Sequence, residues 1–472
     1  MDQSSIRRSA LVVASIASFL TPFMVSSIVI ALPTIGSEFA SDAVSLGWVT
    51  LAYSLAAAMF LVPMGRFADI HGRRKVFIWG VAIYAVSTIL SAASVSLPML
   101  VICRTVEGLG SSMIFGTGTA ILTSVYPPAE RGRALGVNVA ATYLGLSLGP
   151  FLGGLLTQTL GWRAVFLATL PLALLIVVLA LWKLKAEWAE ARGQSFDLAG
   201  SVVYGLALVA VMYGFSQLPQ ARGAVLLGAG LLGLAVFVLW EGRQASPVLE
   251  IGLFRKNPIF AFSNLAALFN YSATNAVSYY LSLYLQYIQG LSPQRAGLVL
   301  LAQPAMQAIF SPLAGRLSDR VEPRLVASAG MVLTVLGLVV LAFLGQGTPM
   351  GLITAALILL GLGFALFSSP NTNAVMSSVD RPHYGVASGV LGTMRLTGQT
   401  TSTAIAMLIL SLYMGRVAVT PEVFAPFVAS AHTLFGILAV LCTAGVFASL
   451  ARGKVRREVG TSYSNQPGMP RP

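Results

Sequence analysis

Fourteen long apolar stretches, separated by short charged or turn-rich connections, make up almost the whole chain. They cover residues 10–33, 46–65, 76–95, 99–121, 134–157, 163–183, 198–216, 223–241, 258–284, 296–315, 326–345, 350–370, 386–414 and 428–450. A helix needs roughly 20 apolar residues to cross the hydrocarbon of a bilayer. Only 10% of the residues are charged and 56% are hydrophobic, unlike a soluble globular domain. The sequence therefore predicts an all-α, multi-pass membrane protein with 14 transmembrane helices.

Lys and Arg residues are distributed unevenly among the connections. An even number of spans puts both termini on one side, and 23 of the 29 Lys and Arg residues fall on that side. Four fall on the other side: Arg163, Arg222, Arg295 and Arg416. Because basic residues are retained in cytoplasmic loops, both termini are predicted to be cytoplasmic. This topology accounts for the net charge of +13, and the scattered basic residues do not indicate a nucleic-acid partner.

Two similar loops suggest duplicated halves. GRFADIHGRRK at 65–75 follows the second span, and GRLSDRVEPR at 315–324 follows the tenth. Duplicated halves that rock about a central site are typical of transporters. We expect a six-helix bundle over 1–183, a linker and two inserted helices over 184–257, a second six-helix bundle over 258–450, and a disordered cytoplasmic tail over 451–472. The charged connection at 183–197 is interpreted either as a hinge or as a solvated linker on the membrane surface.

The first of these loops resembles a signature of the major facilitator superfamily, G-x-L-A-D-R-x-G-R-[RK], although Phe67 and Ile70 depart from it. An aspartate here can pair with arginine or with helix-terminal N–H groups. Ordinary topogenic charge would explain the arginines but not the spacing of Asp and Gly. We predict a cytoplasmic gate that includes, from both loops, Gly65, Asp69, Gly72, Arg73, Arg74, Gly315 and Asp319.

The fourth span carries an arginine and a glutamate within its apolar stretch. Arg104 and Glu107 in RTVEGLGSS resemble the family's R-x-x-Q-G-x-G signature, with Glu in place of Gln. Charged groups inside a membrane are costly unless they pair or face water. Two interpretations stay open: Glu107 carries a coupled proton while Arg104 tunes it, or the two form a structural pair at i and i+3.

The fifth span matches the G-x-x-x-G-P-x-x-G-G pattern of the superfamily's antiporter branches. The matching residues are Gly145, Gly149, Pro150, Gly153 and Gly154. Overlapping G-x-x-x-G steps flatten a helix face for close packing, and proline adds a kink. Generic packing would explain part of the pattern, whereas the whole pattern favours export over uptake.

The ALPTIG segment at 31–36 and the number of spans resemble the fourteen-helix drug:proton antiporter branch, the multidrug efflux transporters of the quaternary-ammonium and uncoupler exporter type. The first span departs from that branch. Met24 and Val29 stand where the branch has a carboxylate and an asparagine, so that site for cations or protons is absent.

Polar side chains in the ninth and thirteenth spans are candidates for a substrate cavity. They are Asn264, Tyr271, Asn275, Ser278, Arg395 and Gln399. A polar stripe on an apolar helix usually faces other helices or a watery cavity. Interhelical hydrogen bonding is the alternative interpretation.

The resemblance implies two six-helix bundles with an inserted pair, and proton-coupled export of hydrophobic or amphipathic small molecules by alternating access. It also implies a monomer in the prokaryotic inner (plasma) membrane. A dedicated exporter of one metabolite or lipid precursor is the alternative, followed by a transport-dead membrane sensor. No Walker A loop, paired metal ligands or nucleophile elbow is found in the sequence, so an enzyme or an ATP-driven pump is not expected, nor a cofactor or metal.

Overall fold

The computed structural model describes residues 3–218, 220–244, 247, 249, 252–379, 384–415, 417 and 419–453, apart from some helical side chains, among them that of Asp319. Nearly all of the predicted tail over 451–472 lies outside the described residues. The described elements are helices, and the predicted all-α class is confirmed.

The described residues before 250 form nine helices. They are α1 (Gln3–Glu38), α2 (Ala43–His71), α3 (Arg73–Ala92), α4 (Leu97–Val125), α5 (Pro128–Leu160), α6 (Arg163–Leu167), α7 (Leu170–Lys183), α8 (Leu198–Gln217) and α9 (Ala221–Glu241). Side-chain caps fix several starts: for example, Asp42 accepts a hydrogen bond from the Ser45 amide at 2.9 Å.

After residue 250, the part of the chain that the structure describes forms eight helices. They are α10 (Gly252–Lys256), α11 (Pro258–Leu283), α12 (Pro293–Leu300), α13 (Ala302–Arg320), α14 (Pro323–Ala342), α15 (Met350–Ser377), α16 (Tyr384–Met414) and α17 (Phe424–Ala451). A π-helical turn, Tyr284–Ile288, extends α11, and a 3₁₀ turn, Pro421–Val423, precedes α17.

Two of the predicted spans are interrupted at a proline. The sixth is divided into α6 and α7, and the tenth into α12 and α13. Pro171 and Pro304 lack the amide hydrogens that would bond to the carbonyls of Leu167 and Leu300, the last residues of α6 and α12. Each span nevertheless continues across its break, over Arg163–Lys183 and Pro293–Ser318.

Twelve helical stretches of the described chain are long and apolar enough to cross a membrane. The polar helices α11 and α16, with 26 and 31 residues, correspond to the other two predicted spans. Large apolar side chains are exposed on the helix surfaces, such as Trp182 (73% exposed), Val440 (70%) and Phe447 (68%). Such surface is suited to lipid and not to water.

The helices before α8 and those from α11 onward form two groups, and within each group the helices pack on one another. α1 lies against α5, and α4 against α2 and α3, while α14 lies against α15 and α17, and α11 against α16. α8 and α9 pack on each other, and α8 also contacts α2 and α16. The two groups meet where α1 contacts α11, α2 contacts α16, and α5 contacts α12 and α13. Below, residues 3–183 are called the first half and residues 258–453 the second half; the predicted domain boundaries stay a prediction.

Candidate functional site

A cavity of about 150 Å³ lies between the two halves, near the middle of the long helices. The first half contributes Val25, Ser26, Val29, Ile30, Thr50, Ser54, Tyr143, Leu146 and Pro150. The second half contributes Tyr271, Thr274, Asn275, Ser278, Tyr279, Leu300, Gln303, Pro304, Gln307, Phe364, Arg395, Gln399 and Thr403. Since both halves form its walls, movement of one half against the other would change the cavity.

Hydrogen bonds between the halves close the outer side of this cavity. Ser282 Oγ donates to the carbonyl of Val29 at 2.7 Å, and Gln286 Nε2 donates to that of Ile30 at 3.0 Å. In addition, the hydroxyl of Tyr287 donates to the Pro33 carbonyl at 3.1 Å, and that of Tyr279 donates to the Ala43 carbonyl. We call Tyr279, Ser282, Gln286 and Tyr287 the outer seal.

Glycines allow α5 and α12 to complete this closure. A Cβ on Gly154 would lie 2.6 Å from the carbonyl oxygen of Pro293, and a Cβ on Gly297 would overlap that of Pro150. Contacts this short are possible only without a side chain. The two halves are therefore in backbone contact on the outer side.

Five of the six predicted cavity residues line this cavity: Tyr271, Asn275, Ser278, Arg395 and Gln399. The amide of Asn275 is already engaged, donating to Thr403 Oγ1 at 3.1 Å and to the Gln399 carbonyl at 3.3 Å. The remaining predicted residue, Asn264, does not line it. Its side chain is fully buried and donates to the Phe260 carbonyl at 2.9 Å.

Sequence reasoning missed several lining residues. Gln303 and Gln307, one turn apart on α13, are each 6% exposed, and Phe364 and Tyr143 provide aromatic walls. Two glutamines at i and i+4 in an apolar stretch are a signal that could have identified α13. The aromatic residues carry no such signal, because a Phe or Tyr in a span faces lipid, core or cavity equally well.

Arg104 and Glu107 do not line the cavity. Both are fully buried, and Arg104 Nη1 donates to Glu107 Oε2 at 2.8 Å. Arg104 Nε donates to the Val49 carbonyl at 3.1 Å, and its guanidinium lies 4.3 Å from the centre of the Tyr53 ring. Helix α2 separates this pair from the cavity, since its residues Thr50 and Ser54 are on the cavity side. Whether Glu107 titrates stays a prediction.

The predicted gate loop carries a compact ionic cluster. Arg73 Nε donates to Asp69 Oδ1 at 2.8 Å, while Arg73 Nη1 donates to Glu190 Oε1 at 2.9 Å and to Ser124 Oγ at 2.6 Å. Gly72 has a φ of +116°, which favours glycine. Asp69 therefore pairs with an arginine within its own loop, one of the two interactions expected for it.

The connection at 183–197 is held against that loop. Glu187 Oε1 accepts a hydrogen bond from the Arg74 amide at 2.8 Å and thereby caps α3. The Ala191 amide donates to the Asp69 carbonyl at 3.0 Å, and the Arg73 amide to the Trp188 carbonyl at 2.8 Å. The segment is thus docked on the first half, a contact that neither sequence interpretation included. Nothing in the sequence pattern placed Glu187 beside Arg74, 113 positions earlier.

The remaining predicted gate residues are less informative. A Cβ on Gly65 would meet open space, and one on Gly315 would lie 2.9 Å from Ser369 Oγ. The side chain of Asp319 lies outside the described part of the chain.

The glycines of the fifth span lie against α1. A Cβ on Gly145 would overlap the Phe19 carbonyl oxygen, one on Gly149 would overlap Ser26 Oγ, and one on Gly153 would lie 2.7 Å from the Cα of Ser27. Gly154 projects instead toward α12. The motif thus serves both helix packing within the first half and closure between the halves.

Comparisons with known proteins agree with this architecture. The sequence profile of the Major Facilitator Superfamily matches residues 14–403 and 264–464. The multidrug resistance protein Stp of Mycobacterium tuberculosis (strain CDC 1551 / Oshkosh) is 32% identical over 392 residues, 82% of this chain and 72% of that protein. The cephamycin export protein CmcT of Amycolatopsis lactamdurans is 31% identical over 419 residues, 86% of this chain and 85% of that protein.

Among solved structures, a bacterial homolog of the human lysosomal transporter Spinster, in an inward-facing and occupied conformation, superposes with a TM-score of 0.65. It is 17% identical, covers 94% of this chain and 96% of its own, and shows likeness of fold alone. The sequence profile, these relatives and the twelve described stretches able to cross a membrane define a multi-pass membrane transporter of small molecules. The chain belongs to the Major Facilitator Superfamily.

Proposed function

We propose that this transporter exports hydrophobic or amphipathic small molecules from the cell by proton-coupled alternating access. The observation that carries the proposal is the cavity shared by both halves and closed on its outer side by the outer seal. A solute entering from the cytoplasm would be released outside once the seal opens. Because the cavity walls are mainly uncharged, they would select solutes loosely, by shape and apolarity.

Three observations support the direction and breadth of transport. The fifth-span motif, Gly145 to Gly154, resembles that of antiporters. One relative is a multidrug resistance protein, and another is an export protein. Apolar, hydroxyl and amide side chains form the cavity walls, and the lining residues include one fixed charge, that of Arg395.

Proton coupling is the finer part of the proposal. Glu107 is the acidic residue deep within a described span, and we assign the coupled proton to it, with Arg104 as its counterion. Asp69, Arg73 and Glu190 would act as a cytoplasmic latch that breaks when the halves rock. The transporter would work as a monomer.

A dedicated exporter of one metabolite is the second candidate. The relative that exports cephamycin favours it, as do Met24 and Val29 in place of the polar residues of the drug:proton branch. A broad panel separates the two, because a dedicated exporter moves only one of many lipophiles.

The test is uptake of labelled lipophiles of each charge type into everted vesicles, with and without an ionophore that collapses the proton gradient. The proposal predicts uptake of several compounds, abolished by the ionophore and by Ser278→Trp, which fills the cavity. Arg222→Gln, an exposed change on the outer side, serves as the control. Uptake that persists in Ser278→Trp, or that is unchanged by the ionophore, would contradict the proposal.

A further inference from the structure

One charged side chain lines the central cavity. Among its lining residues, Arg395 of α16 is basic and the rest are uncharged. The ion pairs of the described residues are Arg7–Glu130, Arg73–Asp69, Arg73–Glu190, Arg104–Glu107 and Arg163–Glu38, so none uses Arg395. A cation without a counterion among the described residues therefore faces the cavity.

An aromatic ring lies beside this cation, and two other aromatic residues line the same cavity. The guanidinium carbon of Arg395 lies 5.4 Å from the centre of the Tyr271 ring, a cation–π contact. Phe364 packs edge-on against Tyr271, with ring centres 5.2 Å apart. Tyr143 lines the cavity from the first half. A planar apolar group can stack here while a charged group reaches the guanidinium.

The balance of charge decides which solute fits. In a cavity shielded from water, a fixed positive charge strongly favours anions and disfavours cations. Guanidinium also matches carboxylate by two parallel hydrogen bonds. Met24, which stands where the drug:proton branch has a carboxylate, is fully buried, and Val29 lines the cavity, so neither residue supplies a negative charge there.

Resting on the export function proposed above, we propose that the cavity selects amphipathic organic anions, whose acidic group pairs with Arg395 while their aromatic ring packs on Tyr271 and Phe364. The class is aromatic carboxylates and similar ring-bearing acids. Binding supplies the counterion that Arg395 lacks among the described residues, so the loaded cavity is neutral and the empty one is positive.

Three fluorescent probes of one shape test this: 9-anthracenecarboxylate, 9-anthracenecarboxamide and 9-(aminomethyl)anthracene. Their binding to the full-length protein in lipid nanodiscs is measured by fluorescence anisotropy at neutral pH. The native protein is expected to bind the carboxylate about tenfold or more tightly than either other probe, a difference of about 1.4 kcal/mol.

Variants assign that preference to one side chain. Arg395→Gln should remove it while the carboxamide still binds, Arg395→Lys should keep most of it, and Arg222→Gln should change nothing. The retained carboxamide binding shows that Arg395→Gln is folded.

The proposal is overturned if the ammonium probe binds best, if the preference survives in Arg395→Gln, or if the carboxylate does not bind. Export of neutral lipophiles separates this failure from that of the proposed function. If those compounds still move while no anion preference exists, only the anion proposal falls. If nothing is exported, the general function falls, and the binding comparison still decides whether Arg395 selects anions.

Discussion

Glu107 and Arg104 lie 2.8 Å apart inside the first half, with both side chains fully buried and with α2 between them and the cavity. Breaking a buried pair leaves an uncompensated charge and costs roughly 3–5 kcal/mol. Glu107→Gln is therefore expected to lower thermal stability in detergent markedly, whatever its role in coupling.

A double variant separates the structural role from the coupling role. Arg104→Met with Glu107→Leu removes both charges, and replacing a buried pair by apolar residues is often neutral or stabilising. We expect stability to return toward that of the native protein while proton-driven transport stays lost. Recovery of proton-driven transport together with stability would show that Glu107 carries no coupled proton.

The docking of residues 183–197 on the gate loop leads to a second prediction. Glu187→Ala removes the cap on the Arg74 amide, which should cost about 0.5–2 kcal/mol and release the segment from the gate loop. Limited proteolysis should then cut residues 183–197 faster than in the native protein. Lys185→Ala, an exposed change in the same segment, is the control. Equal cleavage of the two variants would argue against docking.

The contact between α1 and α5 makes a third prediction. Gly149→Ala places a methyl group onto Ser26 Oγ and 2.9 Å from the Phe23 carbonyl oxygen. We expect a loss of roughly 1–3 kcal/mol in stability, as for overpacked cores. Adding Ser26→Ala should recover part of it. Gly228→Ala, whose Cβ meets open space on α9, should be close to neutral. A similar loss in both glycine variants would contradict close packing as the cause.

Closure between the halves makes a fourth prediction. Gly297→Ala overlaps the Pro150 carbonyl oxygen, so the outer side should close less often. In a background without Cys103 and Cys442, Ser278→Cys reports access to the cavity. Labelling of Cys at 278 by a membrane-impermeant maleimide from outside should rise in the glycine variant. Unchanged labelling would show that this contact does not limit closure.

The transmembrane helices were the part of the structure that the sequence predicted best. Long apolar stretches predicted the positions of the helices, with ends that differ by up to seven residues, as at the start of α1 and the end of α15. The positions were predictable because backbone groups in membrane hydrocarbon must be paired within the helix. The breaks at Leu167 and Leu300 were not predicted, although Pro171 and Pro304 are visible in the sequence. A proline inside a span can kink the helix or divide it, and packing against neighbours decides which.

The site was less predictable for a physical reason. Polar residues on α11 and α16 indicated the cavity, yet Asn264 is buried and donates to a carbonyl of its own helix, and Arg104 lies behind α2. Which face of a helix meets the cavity depends on how the helices rotate against each other, and a single sequence does not encode that directly. The pairing of Glu187 with Arg74 is likewise a contact between distant segments.

The most direct test of the central claim is solute movement in proteoliposomes that contain only this protein and a solute found in the vesicle panel. With an imposed pH gradient and no ATP, solute should accumulate against its own gradient in the more acidic compartment. A pH-sensitive dye should report protons leaving that compartment as solute enters. Accumulation that is the same without the pH gradient, or solute movement with no proton movement, would contradict proton-coupled export.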